Sequence, residues 1–278
     1  MLKLPWSLLQ SFAIIRRFTP GLVLGVGGYS SGPCCLAASL MGIPSAIHEQ
    51  NSYPGLTNRL LCRVVDRVFI AFEESREHFS GGSILLTGNP IREDLFMPGE
   101  AVTRDRESFT ILVMGGSQGA RAVNEAFVAA LETMRDRGKM PRVIHQSGSA
   151  DHPRVLEAYR ARGLTGDVVP FIEDMAQAYR RADMVVSRAG ASTVSELGAL
   201  GKPAILIPYP HAANRHQETN ARVLVQAGGG GDDSGGSSHL RGSRPTPHGI
   251  YDGPGGPQED GGGRQARGTA GCGPNDRG

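Results

Sequence analysis

Residues 187–203 read SRAGASTVSELGALGKP. The apolar run Met184-Val185-Val186 leads into this stretch, and Ala204-Ile205-Leu206-Ile207 leaves it. A strand stops at Ser-Arg-Ala-Gly, a helix of small hydroxylated residues begins at once, and a new strand follows Gly-Lys-Pro. That is a β-α-β unit, which implies parallel strands. Thr193 and Glu196 have the spacing of a capping box, in which hydroxyl and carboxylate satisfy the first N–H groups of the helix. A second reading gives Glu196 to the two hydroxyls of a ribose, since a carboxylate can accept both hydrogen bonds. The N–H groups of Ala191 to Thr193 would then meet phosphate oxygens. Both readings can hold for different residues of the turn.

The same alternation extends in both directions. Strands are expected at 21–26, 43–48, 66–72 and 84–86, with helices at 33–41, 55–63 and 75–79 between and after them. A second series places strands at 109–114, 142–146, 168–171, 184–187 and 204–207, with helices at 121–137, 153–162 and 175–181. Residues 93–107 (EDLFMPGEAVTRDRE) break the pattern with charge and a Pro-Gly pair, and read as a linker. The expected fold class is therefore α/β, with two Rossmann-like domains over 1–92 and 108–227. A ligand would bind in the cleft at their strand carboxyl ends.

Both ends depart from this pattern. Residues 228–278 hold 18 glycines, one leucine and one isoleucine, with no Val, Phe, Met or Trp. Such a segment cannot bury enough apolar surface to offset about 1–2 kcal/mol of ordering cost per residue, so a disordered Gly-rich tail is expected. The change is abrupt after VLVQAGG and reads as a shifted frame. At the other end, Leu4, Leu8, Phe12 and Ile15 share one helical face, flanked by Lys3, Arg16 and Arg17. Two readings are open: a helix packed on a sheet, or a helix lying in a membrane surface with its basic ends toward lipid phosphates. The apolar run is too short to span a bilayer, which needs about 20 residues.

Composition excludes several classes. A formal charge of +2 gives no nucleic-acid footprint. Cys34, Cys35, Cys62 and Cys272 lack metal-type pairing, which fits a reducing compartment. His211 and His216 lack helical metal spacing, and no metal is expected. Three turns share a strand–glycine bend–helix design: GVGGYSSGP at 25–33, MGGSQGAR at 114–121 and SRAGASTVSE at 187–196. Glycine lets a ligand approach, and the helix start offers unpaired N–H groups that suit a diphosphate. None is a Walker loop or a G-x-G-x-x-G turn, which argues against a P-loop nucleotidase and a nicotinamide enzyme. HEQN at 48–51 places His48, Glu49 and Asn51 at a strand's carboxyl end; GNPIR at 88–92 brings Arg92; NRHQETNA at 214–221 brings His216, Gln217 and Asn220.

Taken in order, GVGGYSSGP, IHEQN, GLTN, TGNPIR, MGGSQGARAVNE, HQSG, FIEDM, SRAGASTVSELGALGKPAILIPYP and RHQETNA resemble the MurG family of bacterial N-acetylglucosaminyltransferases over residues 3–229. The resemblance implies a two-domain GT-B architecture that moves N-acetylglucosamine from UDP-GlcNAc to the C4 hydroxyl of the muramoyl sugar of lipid I. The product is lipid II, formed with inversion at the cytoplasmic face of the cell membrane by a peripheral protein on an anionic surface. It implies no cofactor. On that basis Ser117 and Gln118 resemble diphosphate contacts and Glu196 the ribose ligand. Ile172 and the turn Gly190, Ala191, Ser192, Thr193, Val194 and Ser195 would line the uracil and phosphate pocket. Gln217, with His216, resembles the group that reads the donor sugar, and Asn51 and Arg92 match positions that close on the donor. Tyr29, His48 and Glu49 are the catalytic candidates, and Asn58, Asn124 and Arg188 further cleft residues.

The family opens with a glycine-rich turn ending in histidine, on a first strand that is not found here, and closes with helices replaced here by the glycine-rich tail. Both domains are thus expected to be partial and the chain as written inactive. Two other readings use the same fold: a UDP-sugar epimerase or hydrolase, and a non-catalytic UDP-binding fragment.

Overall fold

The computed structural model describes residues 3–97, 108–116, 119–228 and 230–232. Its first sheet contains β1 (Val23–Gly25), β2 (Ser45–Glu49), β3 (Arg67–Ile70) and β4 (Ser83–Leu86), in the order β1-β2-β3-β4 and parallel throughout. Every residue of β2 is buried, as expected for a parallel strand covered on both faces. Helix α1 (Lys3–Phe18) packs Leu8, Phe12 and Ile15 against Ala37 and Ala38 of α2 (Ser31–Leu40). Its apolar face therefore meets α2, and Val23 of β1 joins the same cluster. The small alanines let the two axes approach. Helix α2 starts two residues before Pro33, so the proline sits inside its first turn rather than opening it. Gly25 allows α2 to lie close over β1: a Cβ there would come within 2.6 Å of Cys35 Sγ. Helix α3 (Leu56–Leu61) follows β2, and the expected helix at 75–79 is a 3₁₀ turn, Glu73–His78.

The second sheet has the order β10-β9-β8-β5-β6-β7, again all parallel. Its strands are β5 (Thr110–Met114), β6 (Arg142–Gln146), β7 (Asp167–Val169), β8 (Met184–Ser187), β9 (Ala204–Leu206) and β10 (Gly230–Asp232). Helices α4 (Arg121–Asp136), α5 (His152–Ala161), α6 (Met175–Arg181), α7 (Ala191–Leu200) and α8 (His216–Gln226) connect them. Strand β5 pairs with β6 on one side and β8 on the other. The chain therefore leaves β5 in one direction and returns on its other flank. This is a topological switch point, where the loops at the strand carboxyl ends part and a crevice opens. Gly115 and Gly116 after β5 and the turn at 188–190 after β8 border that crevice.

Two boundaries differ from those read in the sequence. The sheet continues past residue 227, because Gly230–Asp232 pairs with Ala204–Leu206; backbone hydrogen bonding needs no side chains, so glycine-rich composition does not exclude it. Residues 233–278 lie outside the described residues. The segment from residue 93 is not a free spacer at its start: Glu93–Leu95 forms a 3₁₀ turn and Leu95 is buried. Leu95 joins Ala71 and Phe72 of the first domain in one apolar cluster with Leu112, Tyr179 and Leu197 of the second. Residues 98–107 of the proposed linker are outside the described residues.

Candidate functional site

The corner after β2 is built around Glu49, which is 2% exposed. Its Oε1 accepts from Asn51 N (3.0 Å) and Asn51 Nδ2 (3.2 Å), and its Oε2 accepts from Gly55 N (3.1 Å) and Asn58 Nδ2 (2.8 Å). With both oxygens occupied, Glu49 is a structural tie and not the proton acceptor the sequence offered. His48 is also buried, and its Nε2 donates to the Gly88 carbonyl at 3.0 Å. It therefore holds the 88–92 segment against β2 rather than facing a reacting hydroxyl. Asn58 is buried beneath the same corner, not cleft-lining. Tyr29, on the 27–30 loop, is the one catalytic candidate with an open side chain, 96% exposed.

This corner presents Asn51, Ser52 and Asn89 to the second domain. Asn89 Nδ2 donates to Gln50 O (3.1 Å) and across the cleft to Ser195 Oγ (2.9 Å) and Ala191 O (3.4 Å). Asn220, fully buried on α8, takes Ser52 N and Ser52 Oγ on its Oδ1, both at 2.9 Å. Its Nδ2 donates to Asn51 Oδ1 (3.2 Å) and Ala189 O (3.3 Å). Sequence singled out Asn51 and Asn220 but not their pairing; Asn89 and Ser52 were not singled out, although Asn89 lies within the quoted TGNPIR motif.

Helix α7 begins at Ala191 with Gly190 as N-cap and no side-chain cap, so Thr193 already lies in the first turn. The expected capping box does not form. Glu196 instead accepts from Tyr179 Oη at 2.8 Å. Tyr179 is 1% exposed, and burial, with the Glu196 charge second, pushes its ionisation up. It stays a donor, holding one carboxylate oxygen while the other remains for a ligand. The Arg92 charge acts on the same hydroxyl in the opposite sense, so this first-domain arginine lies within electrostatic reach of it. Arg92 is half-exposed and lies 3.6 Å from Asp94.

On the other flank, Gln217 Oε1 accepts from Tyr209 N at 2.8 Å, which leaves its amide nitrogen as a donor. Asn214 and Arg215, just before it, both hold left-handed backbone, at φ 52° and 55°. That conformation costs a non-glycine residue about 1 kcal/mol or more and places His216 and Gln217 at the α8 start. Arg188 is no free cleft cation: its Nη1 donates to Ile207 O (3.1 Å) and Pro208 O (3.0 Å), and its guanidinium lies 5.5 Å from the Tyr209 ring centre. Ile172 is partly buried, its N–H donated to Gln146 Oε1. Ser117 and Gln118 lie outside the described residues.

Asn124 is fully buried on α4 rather than lining the cleft. Its Oδ1 accepts from His145 Nε2 (3.0 Å), and its Nδ2 donates to Ser147 O (2.9 Å) and Asp151 Oδ2 (2.6 Å). His145 Nδ1 then accepts from Tyr159 Oη at 3.0 Å. Burial pushes the His145 pKa down to about 4. The unfolded chain binds a proton near pH 6.5 that the folded chain refuses until about pH 4. Stability is thus complete above pH 6.5 and falls by about 1.4 kcal/mol per unit below it, about 3 kcal/mol in all. Urea unfolding at stepped pH should show this slope, and His145→Gln should remove it; an unchanged slope in the variant would assign the acid sensitivity elsewhere.

Comparisons with known proteins show what the chain is similar to. Residues 1–70 match the glycosyltransferase family 28 N-terminal domain, and residues 110–231 match the glycosyltransferase family 28 C-terminal domain. The UDP-N-acetylglucosamine–N-acetylmuramyl-(pentapeptide) pyrophosphoryl-undecaprenol N-acetylglucosamine transferase of Syntrophus aciditrophicus is 50% identical over 228 residues, covering 82% of this chain and 63% of that protein. Its namesake in Geobacter sulfurreducens is 47% identical over 231 residues, covering 82% and 64%. The chain thus spans less than two thirds of the length of these curated relatives. Acinetobacter baumannii MurG superposes with a TM-score of 0.66 at 36% identity, over 82% of this chain and 66% of that one. The S. aureus MnaA–UDP structure, at 14% identity and a TM-score of 0.57 over 82% and 65%, shares the fold alone.

Proposed function

The chain belongs to glycosyltransferase family 28, and from that premise we propose that it serves the inverting transfer of N-acetylglucosamine from UDP-GlcNAc to the C4 hydroxyl of lipid I, which yields lipid II. The observation that carries this reading is the Glu196 carboxylate. Tyr179 fixes it on α7, one turn from the N–H groups that open that helix at Ala191. A ribose on the free carboxylate oxygen sets its diphosphate over the helix start, where amides and the helix dipole favour negative charge.

In this reading the acceptor hydroxyl attacks the anomeric carbon from the side opposite the diphosphate, in one displacement. Charge gathers on the departing UDP, and each amide aimed at it contributes about 3 kcal/mol. Gln217 directs its amide N–H groups at the sugar hydroxyls, and Asn51 and Arg92 close on the donor from the first domain. The acceptor enters beside the open 27–30 loop that carries Tyr29.

Membrane contact is part of the proposal. Trp6, Leu9, Ile14 and Phe18 leave a second apolar face of α1 exposed, Phe18 by 77%, with Arg16 and Arg17 at its end. No helix among the described residues is long and apolar enough to cross a membrane, so the contact would be interfacial.

One assay tests the whole reading: the chain on anionic vesicles with UDP-GlcNAc and a lipid I analogue. The expected result is flotation with the vesicles, UDP binding and, where the chain turns over at all, UDP release that requires the acceptor. UDP release without the acceptor would favour a hydrolase or epimerase, and no UDP binding by calorimetry would end the donor-site assignment. Loss of flotation should follow Trp6→Glu with Phe18→Glu; flotation unchanged by that pair would place the membrane contact elsewhere.

A further inference from the structure

The side chain of Gln146 ends β6 between two loops, and neither its burial nor its partners follow from the roles assigned above. It is 4% exposed. In the ladder it stands opposite Met114 of β5 and Val169 of β7. Beyond Met114 runs the glycine turn read as the diphosphate contact; beyond Val169 runs the segment through Ile172 read as the uracil wall. Gln146 Nε2 donates to Gly116 O at 3.1 Å, and its Oε1 accepts from Ile172 N at 3.0 Å. Gly116 O also accepts from Gly119 N at 3.0 Å, which closes the turn on the same oxygen. Gly116 reaches this carbonyl direction at φ 90°, a conformation open to glycine.

One partner is an acceptor and the other a donor. A neutral carboxamide supplies both functions; a carboxylate would set oxygen against the Gly116 carbonyl, and an apolar chain of equal length would satisfy neither. We propose that Gln146 is a positioning residue that fixes the spacing between the base-binding and diphosphate-binding loops, and so selects a nucleoside diphosphate by the distance between its two ends. This rests on the donor-site reading above. The energetic logic is that of linked binding: base and diphosphate gain from being joined when the protein holds their two subsites at the matching separation, and lose that gain when the separation wanders.

The test compares UDP with uridine, which engages the base and ribose subsites and lacks the diphosphate. Gln146→Met keeps length and burial and removes both hydrogen bonds. UDP affinity should fall about 10- to 30-fold and uridine affinity less than about 3-fold. Equal losses for the two ligands, or none, overturn the proposal. A second measurement needs no variant: in the native chain saturated with uridine, amide exchange at Gly119 should slow together with that at Ile172, because both are tied through the one side chain. Slowing confined to Ile172 overturns it as well. A native chain that binds uridine but not UDP sinks the donor-site reading itself, a result separable from a native chain that binds both and a variant that loses neither.

Discussion

Replacing Glu196 with alanine is expected to weaken UDP binding about 100- to 20,000-fold. Two hydroxyl hydrogen bonds to an ionised carboxylate are worth about 1.5–3 kcal/mol each, and every 1.4 kcal/mol is a factor of ten. On the proposed donor reading the ribose takes the free carboxylate oxygen on α7, because Tyr179 occupies the other at 2.8 Å. The decisive control is 2′,3′-dideoxy-UDP, which lacks both hydroxyls. It should bind native and variant chains about equally. If Glu196→Ala weakens the dideoxy compound as strongly as UDP, the carboxylate acts on some other part of the ligand. Tyr179→Phe extends the same argument one step outward. It removes the donor that orients the carboxylate, so it should lower UDP affinity several-fold, spare the dideoxy compound, and become silent in the Glu196→Ala background.

The second large effect concerns the contact between domains. Asn220→Leu should cost about 4 kcal/mol of stability, because a side chain of similar volume leaves several buried partners unpaired at about 1–3 kcal/mol each. Those partners are the Ser52 amide and hydroxyl, the Asn51 side-chain oxygen and the Ala189 carbonyl. Three of the four hydrogen bonds cross from the second domain to the corner organised by Glu49. The variant should therefore also loosen the coupling of the two domains, which in the native chain are joined by this contact, by the Asn89 hydrogen bonds to Ser195 and Ala191, and by the apolar cluster of Ala71, Phe72 and Leu95. Urea unfolding followed by two probes, one per domain, reads both effects. A single transition displaced by less than about 1 kcal/mol would show that the interface holds without Asn220.

Most of the element list was legible along the chain. Short apolar runs, Ile111–Met114 in β5 and Met184–Val186 in β8, mark strands covered on both faces, and the alternation of such runs with glycine turns and helical stretches marks the rest. The motifs HEQN, GNPIR and SRAG lie at the carboxyl ends of β2, β4 and β8. Spacing alone was less reliable for single residues. Thr193 and Glu196 satisfy a capping box on paper, but Gly190 starts the helix early and moves both inside it. His48, Glu49, Asn58 and Asn124 are polar and lie beside glycine turns, yet each is spent on holding a corner together. A one-dimensional pattern carries no record of which donors a carboxylate already serves.

The sequence by itself determined the alternation of strands and helices, the parallel sense of the sheets, and the turns at which amides would meet phosphate. Those properties depend on neighbours within about ten residues and on the fixed period of each element. Tertiary structure alone decided the strand order with its switch at β5, the partnership of Tyr179 with Glu196, the clamp at Gln146 and the meeting of Asn220 with Ser52. Each joins groups 17 to 168 residues apart, and such distances close only once the hydrophobic core has brought the helices onto their sheets.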